Sequence, residues 1–419
     1  MNLLLKTLCS GALLLLLASA CTKHKFDFGS WEEDSVDTLS NLKLEHPCML
    51  HTNADFTFVK AKVDAGASPW KEGWAILAAS SYANASYAFA PVVKLIRGGG
   101  SREEPDPDNY GAAYRDAAAA YQLALRWKLS GDVAFANKAI AILNAWAATC
   151  TSINGDSNRW LASGLYGYQF ANAAEILRGY SGWAAADFDK FKKWMLNIFY
   201  PLALNFLETH GGTCSSHYWT NWDIANMNTV LAIGILCDDQ SKINYAINYF
   251  KKGAGTGNIN NAVIQVFDVN GDKLGQGQES GRDQGHATLN ISLYGSFCQM
   301  AYNIGVDLFA YDNNKVLALA EYTAKYNVDL TTTVPFTPYK NCDPVSLTPE
   351  HTTVSAAQRG TIRPSWELIY NHYTKVKGIK ATWSQKFAEA VRPEGGGGNY
   401  GPNSGGFDQL GFGTLMYSK

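Results

Sequence analysis

The spacing of apolar residues predicts that most of the chain is helical. From Asp116 to Leu129, apolar side chains recur three and four positions apart, the spacing that gathers them on one helix face. Ser130-Gly131-Asp132 ends this helix and supplies a cap for the next, from Val133 to Ala148. The same periodicity predicts further helices at Trp70–Tyr82, Ala162–Arg178, Ala184–Glu208, Trp222–Cys237, Lys242–Lys252, Ala287–Ile304, Lys315–Tyr326, Ser365–Val376 and Trp383–Val391.

Short links rich in Gly, Asn, Asp and Ser join most of these helices, as in helical hairpins. Helices in successive pairs on a chain of 419 residues predict an all-α ring or solenoid, whose groove suits an extended polymer.

Three segments depart from the helical pattern. Residues 263–275, VIQVFDVNGDKLG, alternate around Asn270-Gly271 and predict a β-hairpin. Part of this segment, DVNGD, lacks the spacing and terminal Glu of a calcium loop, so the hairpin is favoured. Residues 331–364 and 395–413 lack periodicity and predict two long loops.

The first twenty residues resemble an export signal. Lys6 precedes an apolar stretch from Gly11 to Leu17, and Ala18-Ser19-Ala20 precede Cys21 as in a bacterial lipobox. We expect residues 1–20 to be a signal peptide, residues 21–50 a lipidated tether leading into the fold, and residues 51–419 one helical domain. This predicts a lipoprotein lipidated at Cys21, in the periplasm or on the outer-membrane surface of a Gram-negative bacterium. The alternative is an ordinary signal peptide followed by cysteine by chance.

Composition narrows the function classes. A net charge of −2 gives no basic field for nucleic acid, so an acidic substrate needs a local cluster of cations. The 12 Trp and 22 Tyr are typical of sugar-binding proteins, although packing alone explains any one of them. The remaining cysteines have no metal-ligand spacing, so we expect no metal or cofactor; disulfides are possible but their pairing is open. These cysteines are Cys48, Cys150, Cys214, Cys237, Cys298 and Cys342.

The first segment with candidate chemistry is SSHYWTNWDIANMN, residues 215–228. His217, Tyr218, Trp219 and Asn221 crowd in front of an apolar helix. The N-terminus of a helix favours a bound carboxylate, and Asn and His side chains can donate hydrogen bonds to it. The alternative is that Asn221 caps the helix and the aromatic residues pack in the core.

The second segment is GQGQESGRDQGH, residues 275–286, which contains no large apolar side chain. If a helix begins near Ser280, Arg282 and His286 share one face, with Asn290 one turn further. Arg binds carboxylates through two hydrogen bonds, and His can transfer a proton near neutral pH. The alternative is a solvated helix start.

The chain resembles the helical-toroid alginate lyase superfamily, especially polysaccharide lyase family 38. The resemblance rests on RDAAAAYQLALRWKLSGD, GLYGYQFANAAEILR at 164–178, HYWTNWDIANM at 217–227 and GQESGRDQGH at 277–286. It implies an (α/α) toroid and β-elimination of a uronic-acid polymer, with alginate rich in mannuronate as the expected substrate. Such a reaction removes the C5 proton after the neighbouring carboxylate is neutralised, and then expels the C4 oxygen.

The resemblance also implies roles for individual residues. Asn221 and His217 correspond to the carboxylate-neutralising Asn/His motif, Arg282 to the arginine of the second motif, and His286 to the position of a catalytic tyrosine. Some relatives have Asn-Asn before this histidine, where the chain has Ser215-Ser216. The residue that corresponds to the neutraliser is therefore open by a few positions. The proton donor is then His286 itself or a tyrosine, for which we predict Tyr294, with Tyr218 and Tyr166 as rivals.

Further residues are predicted to bind sugar units along the groove. They are Gln169, Asn172, Tyr166, Tyr218, Trp219, Arg97 and Tyr400. The expected enzyme is a monomer whose partner is an acidic polysaccharide.

Three other functions remain open on sequence grounds. Glucuronan lyase differs only in substrate. A glycoside hydrolase needs two carboxylic acids, for which Asp223, Glu279 and Asp283 are candidates. A glycan-binding lipoprotein needs aromatic residues but no Arg/His pair.

Overall fold

The structure is a computed structural model that describes residues 42–342 and 350–419. The signal peptide and Cys21 lie outside the described residues. The α-helices of the described part are α1 Asn53–Asp64, α2 Trp70–Ala79, α3 Gly111–Ser130, α4 Val133–Thr149, α5 Asn158–Leu177, α6 Ala185–Trp194, α7 Tyr200–Thr209, α8 Thr220–Leu236, α9 Gln240–Lys252, α10 Ile259–Ala262, α11 Gln284–Asn303, α12 Tyr311–Val328, α13 Trp366–Tyr370, α14 Thr382–Val391 and α15 Gly413–Met416.

These helices form an (α/α) toroid. An inner ring consists of helices that each pack against the next, in the order α3, α5, α8, α11, α13, α15 and α2. Helix α2 packs back on α3, which closes the ring. The central stretches of α5, α8 and α11 are buried on every face, whereas α9 buries only one stripe of side chains. A helix that is buried all round lies inside a layer of others, and an amphipathic helix covers the outside.

Neighbouring inner helices run in the same direction. Thr229 on α8 donates a hydrogen bond to the carbonyl of Gly164 on α5, at 2.8 Å. Asn228 donates to the carbonyl of Leu293 on α11, at 3.0 Å. Asn221 and Asn290, each nearer its own helix start, also lie together. The N-termini of α5, α8 and α11 therefore open at the same end of the ring.

Two pairs of short strands complete the described part. The predicted hairpin is confirmed: β3 Val263–Val269 and β4 Asp272–Gly277 pair antiparallel. Their turn uses Asn270 and Gly271 at φ 55° and 88°, the positive angles that such two-residue turns require. Strands β1 Lys94–Ile96 and β2 Ser152–Asn154, which the sequence pattern did not predict, pair in parallel. The hairpin leads from β4 directly into Gln278 and Glu279.

Most predicted helices are present with small shifts at their ends. The predicted helix Ala184–Glu208 is interrupted by a π-helical turn at Met195–Phe199. Pro201 follows this turn and has no backbone N–H to continue the regular ladder, which explains the interruption. The predicted helix Ala287–Ile304 begins three residues earlier, at Gln284 with Asp283 as its N-cap, so Arg282 precedes the helix and does not share a face of it with His286.

The structure also describes parts of the two predicted long loops and the end of the segment before residue 51. Tyr339 and His351 form a β-bridge within the loop 331–364, whose residues 343–349 are outside the described part. Gly396 and Gly411 form another within the C-terminal loop. Cys48, Met49 and Leu50 are 1–3% exposed and belong to the core, at the end of the segment that was predicted to lead into the fold. No helix of the described ranges is long and apolar enough to cross a bilayer.

Candidate active site

The candidate site lies at the end of the ring where the inner helices begin. Peptide dipoles give each helix start a partial positive charge, so this end favours anions. The second chemical segment crosses this end between β4 and α11, and the first leads into α8. The two segments that the sequence singled out are therefore neighbours in the fold.

Glu279 is the centre of the contact between the two segments. Its side chain is fully buried, and its Oε1 accepts from both the backbone N–H and the side-chain amide of Asn221, each at 2.8 Å. The amide of Asn290 donates to the same oxygen at 3.1 Å. Glu279 therefore occupies the α8 N-terminus, where the sequence predicted a substrate carboxylate, and Asn221 is 1% exposed.

Arg282 is the cation that this arrangement holds at the groove. One of its terminal nitrogens, Nη1, donates to Glu279 Oε2 at 2.9 Å, and its guanidinium lies 4.9 Å from the ring centroid of Trp219. The Arg282 side chain stays 26% exposed. The Trp219 ring in turn contacts His351 of the long loop edge to face. Arg282 is thus fixed by a buried acid and an aromatic face while part of its guanidinium reaches solvent.

His286 pairs with Asp283, whose Oδ2 also lies 3.5 Å from Arg282 Nε. Both carboxylate oxygens of Asp283 lie within 2.9 Å of His286 Nδ1, and one also accepts the His286 backbone N–H. Burial raises the pKa of Asp283, but the hydrogen bonds and charge of His286 outweigh it and lower the pKa below its usual value. An ionised Asp283 fixes the proton on Nδ1, which leaves Nε2 of the 33% exposed ring as a base.

A third group of charges lies beside the start of α11. Arg363 donates to the carbonyl of Gly285 at 3.0 Å and lies 3.5 Å from Asp408. Burial raises the pKa of Asp408, while the positive charges of Arg363 and Arg97 oppose the increase. The guanidinium of Arg97 packs 4.9 Å from the ring of Tyr110. Arg97, predicted from a glycine-rich loop, is therefore within electrostatic reach of the His286 side of the site.

The loop before α8 carries the remaining candidates. The His217 ring lies 4.8 Å from that of Tyr218, which packs against Trp160 and Trp222. Cys214 of this loop forms a disulfide with Cys342 of the loop 331–364. The disulfide, whose pairing the sequence left open, links the two loops that contribute Trp219 and His351.

The structure corrects the predicted catalytic role of Tyr294. Its side chain is fully buried, and its hydroxyl donates to the carbonyl of Gly257 at 2.9 Å. Burial, followed by the charges of Asp223 and Glu279 among others, raises the pKa of Tyr294 well above its usual value. Tyr294 packs the core, because two helical turns beyond His286 lead into the ring rather than along the groove.

Several predicted sugar-binding residues are also buried. Gln169 donates to the carbonyl of Phe407, and Asn172 accepts from the backbone of Leu50, so both hold loops in place. Tyr166 is fully buried and accepts from Arg97, whereas the Tyr400 hydroxyl accepts from the backbone of Gly395. Gln169, Asn172 and Tyr166 are 0–2% exposed, so they pack inside the ring and are not direct sugar contacts, whereas Tyr400 stays partly exposed.

The acids required by a hydrolase are committed to other contacts. Asp223 is fully buried and bonded to His210 and to the backbone of Gly257. Glu279 is equally buried, and Asp283 holds His286. These three candidates therefore supply no pair of open carboxyl groups flanking a sugar bond.

Sequence reasoning missed two parts of this site. The role of Asp283 was readable, because an Asp three residues before a His at a helix start is an N-cap. Arg363 and Asp408 carried no local signal, since they lie in loops that only the closed ring brings to α11.

Comparison with known proteins gives one family. The sequence model described as alginate lyase matches residues 60–332, more than half of the chain. The crystal structure of alginate lyase A1-III from Sphingomonas species A1 is similar in fold, with a TM-score of 0.59, 13% identity, and coverage of 90% of this chain and 100% of that one. An alginate lyase from Bacteroides ovatus has a TM-score of 0.56 at 12% identity, covering 89% and 100%. A variant of A1-III complexed with a tetrasaccharide has a TM-score of 0.58 at 14% identity, covering 90% and 99%. No curated protein sequence matches the chain.

Proposed function

The chain belongs to the alginate lyase family, and from that premise we propose that it cleaves mannuronate-rich alginate by β-elimination at the Arg282–His286 site. Family and fold make it a polysaccharide lyase acting on alginate. The uronate preference and the residue roles are our proposal. The observation that carries it is that Arg282 and His286 both pair with the carboxylate of Asp283, and that both side chains are partly exposed.

Arg282 neutralises the substrate carboxylate in this proposal. Its Nη1 is committed to Glu279, and its remaining N–H groups can donate to the uronate of the +1 subsite. Removing the C5 proton shifts negative charge onto that carboxylate, so a fixed cation stabilises the transition state more than the ground state. Asn221 acts indirectly, because its amide is bonded to the acid that fixes Arg282.

His286 removes the C5 proton through Nε2. Ionised Asp283 stabilises the imidazolium that forms, as a carboxylate does for any histidine base. In mannuronate the C5 proton and the C4 oxygen lie on the same face of the ring, so the imidazolium can protonate the leaving oxygen. His217, on the loop that carries Trp219, is the second candidate donor. Elimination then leaves a C4–C5 double bond conjugated with the carboxylate.

One panel of substrates tests the proposal. Polymannuronate, polyguluronate and glucuronan are incubated with the protein while ultraviolet absorbance and reducing ends are both followed. We expect absorbance to rise fastest with polymannuronate, in proportion to new chain ends. Reducing ends without absorbance would indicate hydrolysis, and neither signal would indicate a binding protein; either result overturns the proposal.

We also propose that the protein is exported and lipidated at Cys21. The support is the lipobox-like sequence before Cys21, which lies outside the described residues. Expression with a radiolabelled fatty acid is expected to label the wild type and not Cys21→Ser. Equal labelling of both proteins would refute lipidation at this residue.

A further inference from the structure

A separate cluster of ligand-type side chains lies at the opposite end of the ring. Glu175 is two residues from the end of α5, and Asp238 follows the end of α8. The 17 residues of α8 separate this end from the groove by about 25 Å. His46 and Cys48, from the segment before α1, pack against Glu175 here.

Three potential metal ligands converge in this cluster. His46 Nδ1 lies 2.5 Å from Glu175 Oε1. Cys48 Sγ lies 3.6 Å from His46 Nδ1 and 3.8 Å from Glu175 Oε1. Tetrahedral zinc bound to S, N and O donors places these atoms roughly 3.3–3.6 Å apart. Both sulfur distances are near this geometry, and only the N–O pair has to widen, by about 0.8 Å. Among the described residues no other group of three His, Cys, Asp or Glu side chains converges in this way.

The surroundings of the cluster also resemble those of a metal centre. His46 Nε2, the nitrogen that faces away from Cys48, lies 2.8 Å from Asp238 Oδ1. A carboxylate on the outer nitrogen orients a metal-binding imidazole and increases its basicity. Glu175 is 1% exposed, and its Oε2 has no hydrogen bond, with Arg178 at 3.7 Å. The backbone N–H of Cys48 also donates to Oε1, at 3.0 Å.

We propose that His46, Cys48 and Glu175 bind a divalent transition-metal ion, with zinc as the best match to this donor set. Without a cation the Cys48 thiol only donates a weak hydrogen bond to Glu175, whereas one cation uses all three donors. Binding breaks the Cys48 S–H bond, forms the metal–thiolate bond and releases the proton to solvent. The side chain of His46 is 14% exposed, so water can reach the ion there and complete its coordination.

The metal would fasten the N-terminal segment to the ring without entering the reaction. Its ligands come from residues 46 and 48 on one side and from α5 on the other, so binding joins two distant parts of the chain. The proposal is independent of the alginate lyase assignment, because its readouts are metal content and stability.

Metal content and thermal stability of the full exported chain test this inference. The protein is dialysed against a chelator and then titrated with Zn²⁺ or Co²⁺. We expect about one equivalent bound, a thiolate-to-cobalt charge-transfer band in the near ultraviolet, and a higher Tm. Cys48→Ser is expected to lose the band, whereas Cys150→Ser is a matched control that removes another buried free thiol and keeps it.

Asp238→Asn covers the case in which Cys48→Ser does not fold. Asp238 is not a ligand; it contacts the imidazole of His46 and also Arg178. Its loss is expected to weaken metal affinity about 10–100-fold. Lyase activity of the wild type is expected to be the same with and without metal. No bound metal and no cobalt band would reduce the cluster to an ion pair. Binding that survives Cys48→Ser would place the ion elsewhere, and both results overturn the inference.

Discussion

At the residue scale, Glu279 determines what its neighbours can do. A fully buried carboxylate needs partners, and it takes them from Asn221, Asn290 and Arg282. The sequence presented Asn221 and Arg282 as candidates around a sugar acid, and Asn290 only as a residue one turn beyond His286. The structure instead makes one of them, Arg282, the exposed end of a network whose other members position it.

Glu279→Gln is expected to reduce kcat/KM at least about tenfold, because Gln keeps an oxygen for Asn221 but loses the charge that fixes Arg282. Steady-state kinetics together with Tm measure the effect. Glu321→Gln is the matched control, since Glu321 is also buried and caps a helix start, that of α14, away from the groove. We expect the control to lower Tm and keep kcat/KM. Equal activity losses in both variants would mean that Glu279 acts only through stability.

His286→Ala is expected to lower kcat by about 10²–10⁴-fold, the usual contribution of a general base. Tyr294→Phe removes only the hydroxyl bonded to Gly257 and is expected to stay within a few-fold of the wild type. Comparing kcat of the two folded variants on polymannuronate decides between them. A large loss in Tyr294→Phe with activity retained in His286→Ala would restore the predicted catalytic role of Tyr294 and refute the proposed role of His286.

At the element scale, close packing of the inner helices depends on glycine. A Cβ at Gly164 on α5 would lie 2.8 Å from backbone atoms of Ala225 and Asn226 on α8. At Gly295 on α11 the nearest atom is the Cδ2 of Leu368, at 3.2 Å, the end of a flexible side chain. The two positions therefore differ in whether the neighbour can move.

Gly164→Ala is expected to destabilise the fold by about 1–3 kcal/mol, because α5 and α8 have to separate. Gly295→Ala serves as the control in another inner helix and is expected to cost less, because side chains can rotate away. Denaturant unfolding of both variants measures the difference. A Gly164→Ala variant as stable as Gly295→Ala would show that the helix pair adapts freely.

The elements also show what periodicity can and cannot predict. Helices such as Val133–Thr149 and the hairpin at Asn270-Gly271 were readable because local spacing and turn chemistry decide them. The start of α11 was predicted three residues late, since Asp283 provides the cap. The partners of Arg363 and the disulfide Cys214–Cys342 depend on which loops meet, and no local pattern encodes that.

At the scale of the whole molecule, the ring gathers helix starts and long loops at one end. The two chemical segments were predicted to meet, and Asn221 and Glu279 show the contact. Which side chains remain exposed there could not be predicted, because burial depends on the closure of the complete ring. The C-terminal loop takes part in that closure through Glu394, whose Oε2 accepts from the backbone of Trp366 and Glu367 at the start of α13.

Glu394 links the stability of the ring to pH. Burial, followed by the nearby charge of Glu367, raises its pKa from 4.5 to about 8. Between these values the folded chain holds a proton that the unfolded chain has lost, so the stability from Glu394 is present below pH 4.5 and declines as pH rises to about 8.

Glu394→Gln keeps an acceptor for both backbone groups and cannot ionise. Its Tm is therefore expected to fall less than that of the wild type between pH 5 and pH 8. The corresponding difference in the free energy of unfolding is expected to be on the order of 1 kcal/mol or more. Glu389→Gln, at an exposed position of α14, removes the same charge without burial and is expected to follow the wild type. Parallel Tm curves for wild type and Glu394→Gln would show that Glu394 is already ionised in the folded ring.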